Sequence, residues 1–187
     1  MARPTWVLLS SRLPREPSRL RLGVWRRLRR VGAALLHDAV WALPADAGTR
    51  EAAEWLAEEI EEHGGTAFVW EAAGLSPEQD RHLIDRFRRD ADARYIEIET
   101  TARAITRSMR RRRRGRSQGR ARPESQLAQA MRQVRGLERA LRLEQRRDYF
   151  RAPGRAAAAS AVSEAMSTLE AMSFPTQERS SVHALGH

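Results

Sequence analysis

The chain has 187 residues, of which 41% are hydrophobic and 31% are charged, a composition typical of folded globular proteins. This length suits one domain of about 100–150 residues with extensions. The sequence contains no cysteine, which excludes disulfides, zinc–thiolate centres and cysteine nucleophiles. Its longest apolar run, residues 31–36, is far shorter than the ~20 residues of a membrane span, and residues 1–13 lack the features of a secretory signal. We therefore expect a cytoplasmic protein that does not associate with membranes.

Positive charge is concentrated in two segments. The formal net charge is +10, and all 34 basic residues are arginine. Ten arginines and no acidic residue lie between Glu99 and Glu124, and eight arginines with a single glutamate lie from Arg12 to Arg30. Two basic segments on an otherwise acidic chain indicate an anionic partner.

The first 32 residues predict a strand followed by a helix. Thr5–Pro14 is an apolar run that ends at a proline, a pattern typical of a buried strand. Residues 18–32 predict an amphipathic helix with Gly32 as its C-terminal stop. Its apolar positions recur every three or four residues, at Leu20, Val24, Leu28 and Val31. The arginines between them therefore form, first of all, the exposed face of this helix.

Three further elements complete the first part of the chain. Residues 33–45 have the composition of a strand, with a bend near His37–Asp38. A helix begins at Thr49 and ends at Gly64–Gly65, and residues 66–72 predict another strand. The helix directs three side chains toward a core, those of Ala52, Leu56 and Ile60. The order strand, helix, strand, helix, strand predicts a compact α/β sandwich with helices on one face of the sheet.

The second part of the chain has helical patterns. Ser76 and Pro77 begin a helix, and residues 93–105 are also predicted to be helical, because a helical stripe extends further there than a strand-like alternation. Two apolar stripes predict an antiparallel helical hairpin. They consist of Leu127, Met131, Val134, Leu137 and Leu141, and of Val162, Met166, Leu169 and Met172. We therefore predict an α/β domain with a trailing helix (1–106), an arginine-rich linker (107–123), a hairpin packing on or beside the domain (124–172) and a flexible tail (173–187).

Several sequence features follow one another in a characteristic order. They are an opening W-x-L-L strand, a proline-containing joint, "VWRRLRRVGA", "AVWALPA" and "WLAEEIEEHGG" before a strand that closes at Glu71. In this order and spacing the chain resembles the amino-terminal region of ChrB-type chromate-resistance regulators, over roughly residues 5–172. The resemblance implies transcriptional control of chromate efflux. Full-length members carry a further carboxy-terminal domain, which we do not expect here, so effector sensing by that domain is not carried over.

The strand and helix order also resembles the ferredoxin-like fold of CRISPR-associated endoribonuclease-like domains and of phenylacetate-type repressors. This resemblance implies a ferredoxin-like sandwich ahead of the C-terminal helical hairpin. Nucleases of that kind hold a divalent cation with an aspartate at the end of the first strand. In this chain Ser10, Ser11 and Arg12 occupy that end, where a cation would be repelled. We therefore expect no enzyme activity, no metal site and no cofactor.

Other residues that could carry chemistry have simpler interpretations. His37 and Asp38 would point to opposite faces of a strand, and His63 is interpreted as a capping residue at a helix end. The glutamates of residues 54–62 are interpreted as a solvated helix face. Four tryptophans are interpreted as core residues, namely Trp25, Trp41, Trp55 and Trp70. We therefore predict no catalytic residue.

The arginines remain as the predicted binding residues, because guanidinium groups bind phosphates bidentately and displace the counterions of nucleic acids. We predict that nine arginines contact DNA: Arg26, Arg27, Arg29, Arg30, Arg110, Arg111, Arg112, Arg113 and Arg114. We also expect a homodimer. Two alternatives stay open. One is a non-enzymatic protein interaction module whose basic tract binds an acidic protein or a lipid, and the other is an oxyanion binder that holds chromate or sulfate.

Overall fold

The structure is a computed structural model that describes residues 4–14, 18–114 and 123–173. Over these residues it is a mixed α/β structure with a four-stranded antiparallel sheet and five helices. The strands are β1 (Thr5–Arg12), β2 (Ala34–His37), β3 (Val40–Pro44) and β4 (Thr66–Ala73). The helices are α1 (Ser18–Arg30), α2 (Ala47–Glu62), α3 (Pro77–Arg114), α4 (Pro123–Arg147) and α5 (Arg155–Ser173). None of the described helices is both long enough and apolar enough to cross a bilayer.

The described residues divide into two compact units. The first unit comprises the described residues up to Ala91 together with Gln145–Ala152, and the second comprises Asp92–Glu144 and the described residues from Pro153 onward. Helix α3 continues to Arg114. Residues 107–114, which were predicted to be a linker, are therefore helical. Arginine is a good helix former, and the first glycine after Glu99 is Gly115. The rest of that linker up to 122, and the predicted tail beyond Ser173, lie outside the described residues.

The sheet has the strand order β2-β3-β1-β4, and every neighbouring pair is antiparallel. The single bent strand predicted over 33–45 is wrong, since the chain reverses there to form the hairpin of β2 and β3. Asp38 adopts φ 41° at this turn, a left-handed conformation that aspartate tolerates better than most residues. The bend was therefore predicted at the correct residues, but the chain reverses its direction completely there. Strand β4 pairs with β1 from Thr5↔Ala73 to Arg12↔Thr66 without a bulge.

One face of the sheet forms the main core of the first unit with α1 and α2. Val7, Leu9 and Leu43 of the sheet are at most 2% exposed. The predicted inward face of α1 is confirmed, with Leu20, Val24 and Leu28 buried in this cluster. Helix α2 contributes Leu56 and Ile60 as predicted, with Ala53 rather than Ala52 as its fully buried alanine. The predicted helix stop is also observed, since Gly32 takes φ 77°.

The opposite face of the sheet is covered in part, which corrects the prediction that helices lie on one face only. Trp6 of β1 stacks on Phe87 of α3 with ring centroids 5.9 Å apart. Ala34 is buried in the same cluster, and Leu83 and Phe150 pack against it. The first turns of α3 therefore belong to the first unit and seal one part of this face.

The second unit consists of helices whose buried side chains range from alanine to the fully buried Tyr95. Tyr95, Ile98 and Ala102 are buried along α3, which confirms the helical interpretation of residues 93–105. The buried apolar side chains of α4 in this unit are those of Ala130, Val134 and Leu141, and those of α5 are Ala158, Ala161, Val162, Ala165 and Leu169. Alanine predominates on α5, so the helix backbone can be approached closely by its neighbours.

Candidate nucleic-acid interface

The four predicted arginines of α1 fall into two pairs with different surroundings. Arg27 forms an ion pair with Glu59 of α2. The guanidinium of Arg29 lies 3.9 Å from the carboxylate of Asp90 and 5.9 Å from the ring centroid of Trp25, where a cation–π contact forms. Arg26 and Arg30 are exposed and form no ion pair with any residue that the structure describes. Arg26 and Arg30 are therefore the two α1 arginines of the predicted site that can bind a phosphate without losing an ion pair.

The C-terminal end of α1 is fixed in place by residues far along the chain. Arg147 donates a 2.6 Å hydrogen bond to the backbone carbonyl of Arg29, and the Tyr149 hydroxyl donates a 2.7 Å bond to the carbonyl of Val31. Burial raises the pKa of Tyr149 to about 12, and the negative charge of Asp46 adds to this effect. A side chain at Gly32 would clash with Arg147, whose Cβ would lie 2.8 Å away. The carbonyl of Arg29 also accepts a 3.3 Å bond from the backbone N–H of Gly32. Together these contacts fix the C-terminal end of α1, where the helix carbonyls lack partners within the helix.

The second predicted group lies on the last turns of α3. Helical spacing puts Arg107, Arg110, Arg111 and Arg114 on one side of the helix, and all four side chains are exposed. No acidic residue follows Glu99 in α3. Arg107 was not among the predicted site residues, because a linker has no helical spacing that would group it with the other three arginines. We call these four residues the α3 arginine stripe.

The arginines of residues 110–114 differ in the ion pairs and hydrogen bonds that they form within the second unit. Arg110 pairs with Glu164 of α5 at 2.9 Å, and Arg112 donates a hydrogen bond to Gln126 of α4. Arg111 and Arg114 form no ion pair with a described residue. The structure describes the backbone of Arg113 as part of α3, whereas its side chain lies outside what is described.

A cleft of about 490 Å³ opens beside the stripe in the second unit. Its lining includes Arg110 and Arg114 of α3 and the hydroxyl-bearing residues Ser167 and Thr168 of α5. Glu164 also lines it, through the ion pair with Arg110. Positive charge and hydroxyl donors around one cleft are the groups that an oxyanion binds.

Acidic residues on α2 limit where a polyanion can approach the first unit. Exposed glutamates cover the outer surface of α2, at Glu51, Glu54, Glu58, Glu61 and Glu62. The interpretation of residues 54–62 as a solvated face is confirmed for four of their five glutamates, whereas Glu59 is partly buried and pairs with Arg27 of α1. Because α2 packs beside α1, these glutamates make the surface next to the α1 arginines acidic.

The histidines that were considered for catalysis lie at a turn and at a helix end. The prediction that His37 and Asp38 diverge is wrong, because the turn brings Nε2 of His37 within 3.2 Å of Oδ2 of Asp38. Both side chains are more than four-fifths exposed. His63 caps α2, with Nδ1 2.8 Å from the carbonyl oxygen of Glu59. Among the described residues, no group of three or more His, Asp or Glu side chains is arranged to hold a metal ion.

Three of the four tryptophans assigned to the core are exposed, which corrects that prediction. Trp41 is buried at 7% exposure, but Trp25, Trp55 and Trp70 are 48%, 66% and 56% exposed. Trp70 lies with Phe68 on the edge strand β4, and their rings meet edge to face at 6.2 Å. Sequence reasoning missed this pair, although two aromatics at alternate positions of a strand must share one face.

The comparison with protein families decides the family of the chain. The family model described as "Protein ChrB, N-terminal" matches residues 21–177. The chain belongs to the ChrB amino-terminal family. The ChrB match takes in the described structure from α1 through α5, and it associates the chain with chromate resistance. No curated protein and no solved structure gives a significant match.

Proposed function

We propose that this ChrB-type chain is a DNA-binding transcriptional regulator of chromate resistance that acts without catalysis. The observation that carries the proposal is the α3 arginine stripe, in which four exposed guanidinium groups share one helix side with no acidic residue after Glu99. A ferredoxin-like assignment of the sheet unit accompanies this proposal. It is supported by the element order β1-α1-β2-β3-α2-β4 and by the strand order β2-β3-β1-β4.

A helical hairpin of α4 and α5 in the second unit is the remaining part of the proposed architecture. The hydroxyl of Ser173, the last residue of α5, lies 4.0 Å from the sulfur of Met131 in the N-terminal half of α4. A contact between the end of α5 and the N-terminal half of α4 supports an antiparallel arrangement. The hairpin would then support the helix end that carries the arginine stripe through the Arg110–Glu164 pair.

The mechanism follows from the chemistry of guanidinium groups. A stripe of this kind spans about 10 Å of helix at 1.5 Å per residue, which is long enough to meet successive phosphates along one strand. Arg111 and Arg114 are available without loss of an ion pair, whereas Arg110 must exchange Glu164 for a phosphate. Such contacts fix position on the duplex and carry no base information. Sequence preference would therefore come from other residues or from DNA shape.

A mobility-shift assay with the DNA upstream of the protein's own coding region tests the proposal. Replacing Arg107, Arg110, Arg111 and Arg114 by glutamine should weaken binding to that DNA and to an unrelated duplex alike. A matched control replaces Arg132, Arg135, Arg139 and Arg142 of α4, which are also exposed helix arginines. No binding of the unaltered protein to any duplex at low salt would contradict the proposal and favour a protein interaction module.

The cleft beside the stripe supports oxyanion binding as a second candidate function. Arg110, Arg114, Ser167 and Thr168 provide donors for chromate or sulfate, at the position where Glu164 now pairs with Arg110. Calorimetric titration with chromate and with sulfate should detect binding that Arg114→Gln abolishes. Unchanged binding by the Arg114→Gln protein would rule out this cleft.

A further inference from the structure

Strand β4 forms one edge of the sheet, because the strand order ends there and no described strand lies beyond it. Its inner edge pairs with β1 over eight residue pairs. The outer edge therefore presents a regular row of backbone donors and acceptors without a strand partner among the described residues. Such an edge is a template for adding another strand.

The middle of β4 exposes large apolar side chains on both faces of the sheet. Phe68, Val69 and Trp70 are 61%, 36% and 56% exposed. Phe68 lies opposite Ser10 and Trp70 opposite Leu8 in the β1 register, so the two aromatics share one face and Val69 takes the other. Three consecutive apolar residues at an exposed edge are unusual in a chain that is 31% charged.

The features that normally protect an edge strand are missing from β4. It contains no proline and no bulge, and its one charged residue is Glu71. Arg50 neutralises that charge with two hydrogen bonds of 2.9 Å, from Nε and Nη2 to the two carboxylate oxygens. Natural proteins usually block such edges with charges, prolines or bulges. The edge of β4 is therefore flat, long and without net charge.

We propose that β4 pairs antiparallel with β4 of a second copy of this chain about a two-fold axis at Val69, which joins the two sheets into one of eight strands. In this register Phe68 lies opposite Trp70 of the second copy, and Val69 lies opposite Val69 of the second copy. Glu71 falls opposite the small, buried Ala67 rather than opposite another carboxylate. Registers centred on residues 68 and 70 each pair one aromatic with its own copy and leave the other aromatic opposite a small residue. Only the register centred on Val69 gives both Phe68 and Trp70 an aromatic partner. The proposal goes beyond the DNA-binding function and does not depend on it.

The position of the neighbouring helix follows from the same arrangement. Helix α2 packs over β4 and β1, so a two-fold axis perpendicular to the sheet runs the two α2 helices antiparallel on one face. Arg50, the single basic residue of α2, already pairs with Glu71 of its own chain. The α2 helices therefore add no charge attraction, and the aromatic pairs of β4 provide the main stabilisation of the interface.

The exposed aromatic area is sufficient to anchor an interface of ordinary size. An aromatic side chain buries about 150–250 Å², so the exposed parts of Phe68 and Trp70 in two copies supply about a quarter of a standard 1,600 Å² interface. The paired strand edges and the flanking α2 side chains supply the rest. Paired aromatics near the centre of an interface are where binding energy concentrates.

Cysteine cross-linking tests the register directly, because the chain contains no cysteine of its own. Directly opposite residues in antiparallel strands have Cα atoms about 4.5–5.5 Å apart, which suits a disulfide. The full-length Val69→Cys protein should form a covalent dimer under mild oxidation. Leu22→Cys, at an exposed site on α1 away from the β4 edge, serves as the control and should remain uncross-linked. Equal cross-linking of both variants would overturn the proposed axis.

Charge exchange tests the pairing without relying on one variant. Phe68→Lys with Trp70→Lys, and separately Phe68→Glu with Trp70→Glu, should weaken the dimer by roughly 100-fold or more in analytical ultracentrifugation. Mixing the two folded variants should restore a dimer, because lysine of one then faces glutamate of the other. Far-ultraviolet circular dichroism verifies that each variant is folded.

An unaltered protein that stays monomeric at its highest soluble concentration overturns the proposal. Quenching of Trp70 fluorescence by single-stranded oligonucleotides, with no dimer formed, would assign β4 to base stacking instead.

Discussion

The indole Nε1–H of Trp6 donates a 2.9 Å hydrogen bond to Oδ1 of Asp80, which joins β1 to the first turn of α3. Both residues are buried, at 3% and 4% exposure. The same carboxylate oxygen accepts a 3.1 Å bond from the backbone N–H of Gly74, at the turn between β4 and α3. One buried carboxylate thereby fixes where α3 begins relative to the sheet.

Asp80→Ala should lower the free energy of unfolding by about 1–3 kcal/mol, because the buried indole N–H loses its acceptor. Asp85→Ala is the control, since its carboxylate is half exposed and lies 3.9 Å from Arg88. This control should change stability by less than about 0.5 kcal/mol. Urea denaturation of both variants, and of each combined with Trp6→Phe, measures the coupling. An Asp80→Ala effect that persists unchanged in the Trp6→Phe background would show that the bond contributes nothing.

Leu28→Ala should lower the free energy of unfolding by about 2–5 kcal/mol, because Leu28 is only 1% exposed in the main core. Arg30→Ala, two residues along the same helix, should cost less than about 0.5 kcal/mol because its side chain is exposed. Guanidinium denaturation series on the two proteins make the comparison. Equal losses would mean that the buried face of α1 is misassigned.

The free arginines of α1 should matter more for DNA binding than the paired ones. Arg26→Gln with Arg30→Gln should reduce the slope of log affinity against log salt by about 1.8, since each phosphate contact contributes about 0.9. Arg27→Gln with Arg29→Gln should reduce it less, because both residues already have carboxylate partners. Salt titrations by fluorescence anisotropy give both slopes. A larger effect of the second pair would contradict the interpretation of Arg26 and Arg30 as phosphate ligands.

Hydrogen bonding to Arg50 lowers the pKa of Glu71. Folding therefore favours the ionised carboxylate, and its contribution to stability is present above the pKa in the unfolded chain and is lost as the pH falls through the lower folded-state pKa. Arg50→Gln should raise the pKa of Glu71 toward its ordinary value in a carbon-detected NMR titration. The pKa of Glu78, which is lowered mainly by a backbone hydrogen bond, is the internal control and should stay unchanged. A Glu71 pKa that did not move would exclude Arg50 as the cause.

Tyr149 should make the first unit sensitive to alkali. Its pKa is raised from 10.0 to about 12 by burial, so the unfolded chain ionises first and stability falls as the pH rises through this range. Tyr149→Phe removes this dependence and should cost about 0.5–1.5 kcal/mol at neutral pH through the lost bond to Val31. Thermal unfolding at several pH values compares the two proteins. A parallel decline of both curves above pH 10 would show that Tyr149 is not responsible.

Local spacing was enough to locate most strands and the helices, apart from residues 107–114 at the end of α3. The four-residue recurrence of Leu20, Val24 and Leu28 specifies one face of α1 in any fold, because 3.6 residues complete each turn. The same reasoning located the stop at Gly32 and the helical character of residues 93–105. The order and spacing of these elements also carried the ChrB resemblance, which the family match over residues 21–177 confirms.

Tertiary structure alone decided which side chains are engaged and which are free. The sequence does not distinguish the nine arginines that were predicted to bind DNA. In the structure, Arg27 pairs with Glu59 of another helix, whereas Arg26 has no described ion-pair partner. Trp41 and Trp70 both lie in apolar strands, yet β3 is covered by neighbours on both sides whereas β4 is an edge. Strand order depends on pairings between distant segments, and no local spacing encodes them. Local periodicity therefore determined the elements, and long-range packing determined their exposed surfaces.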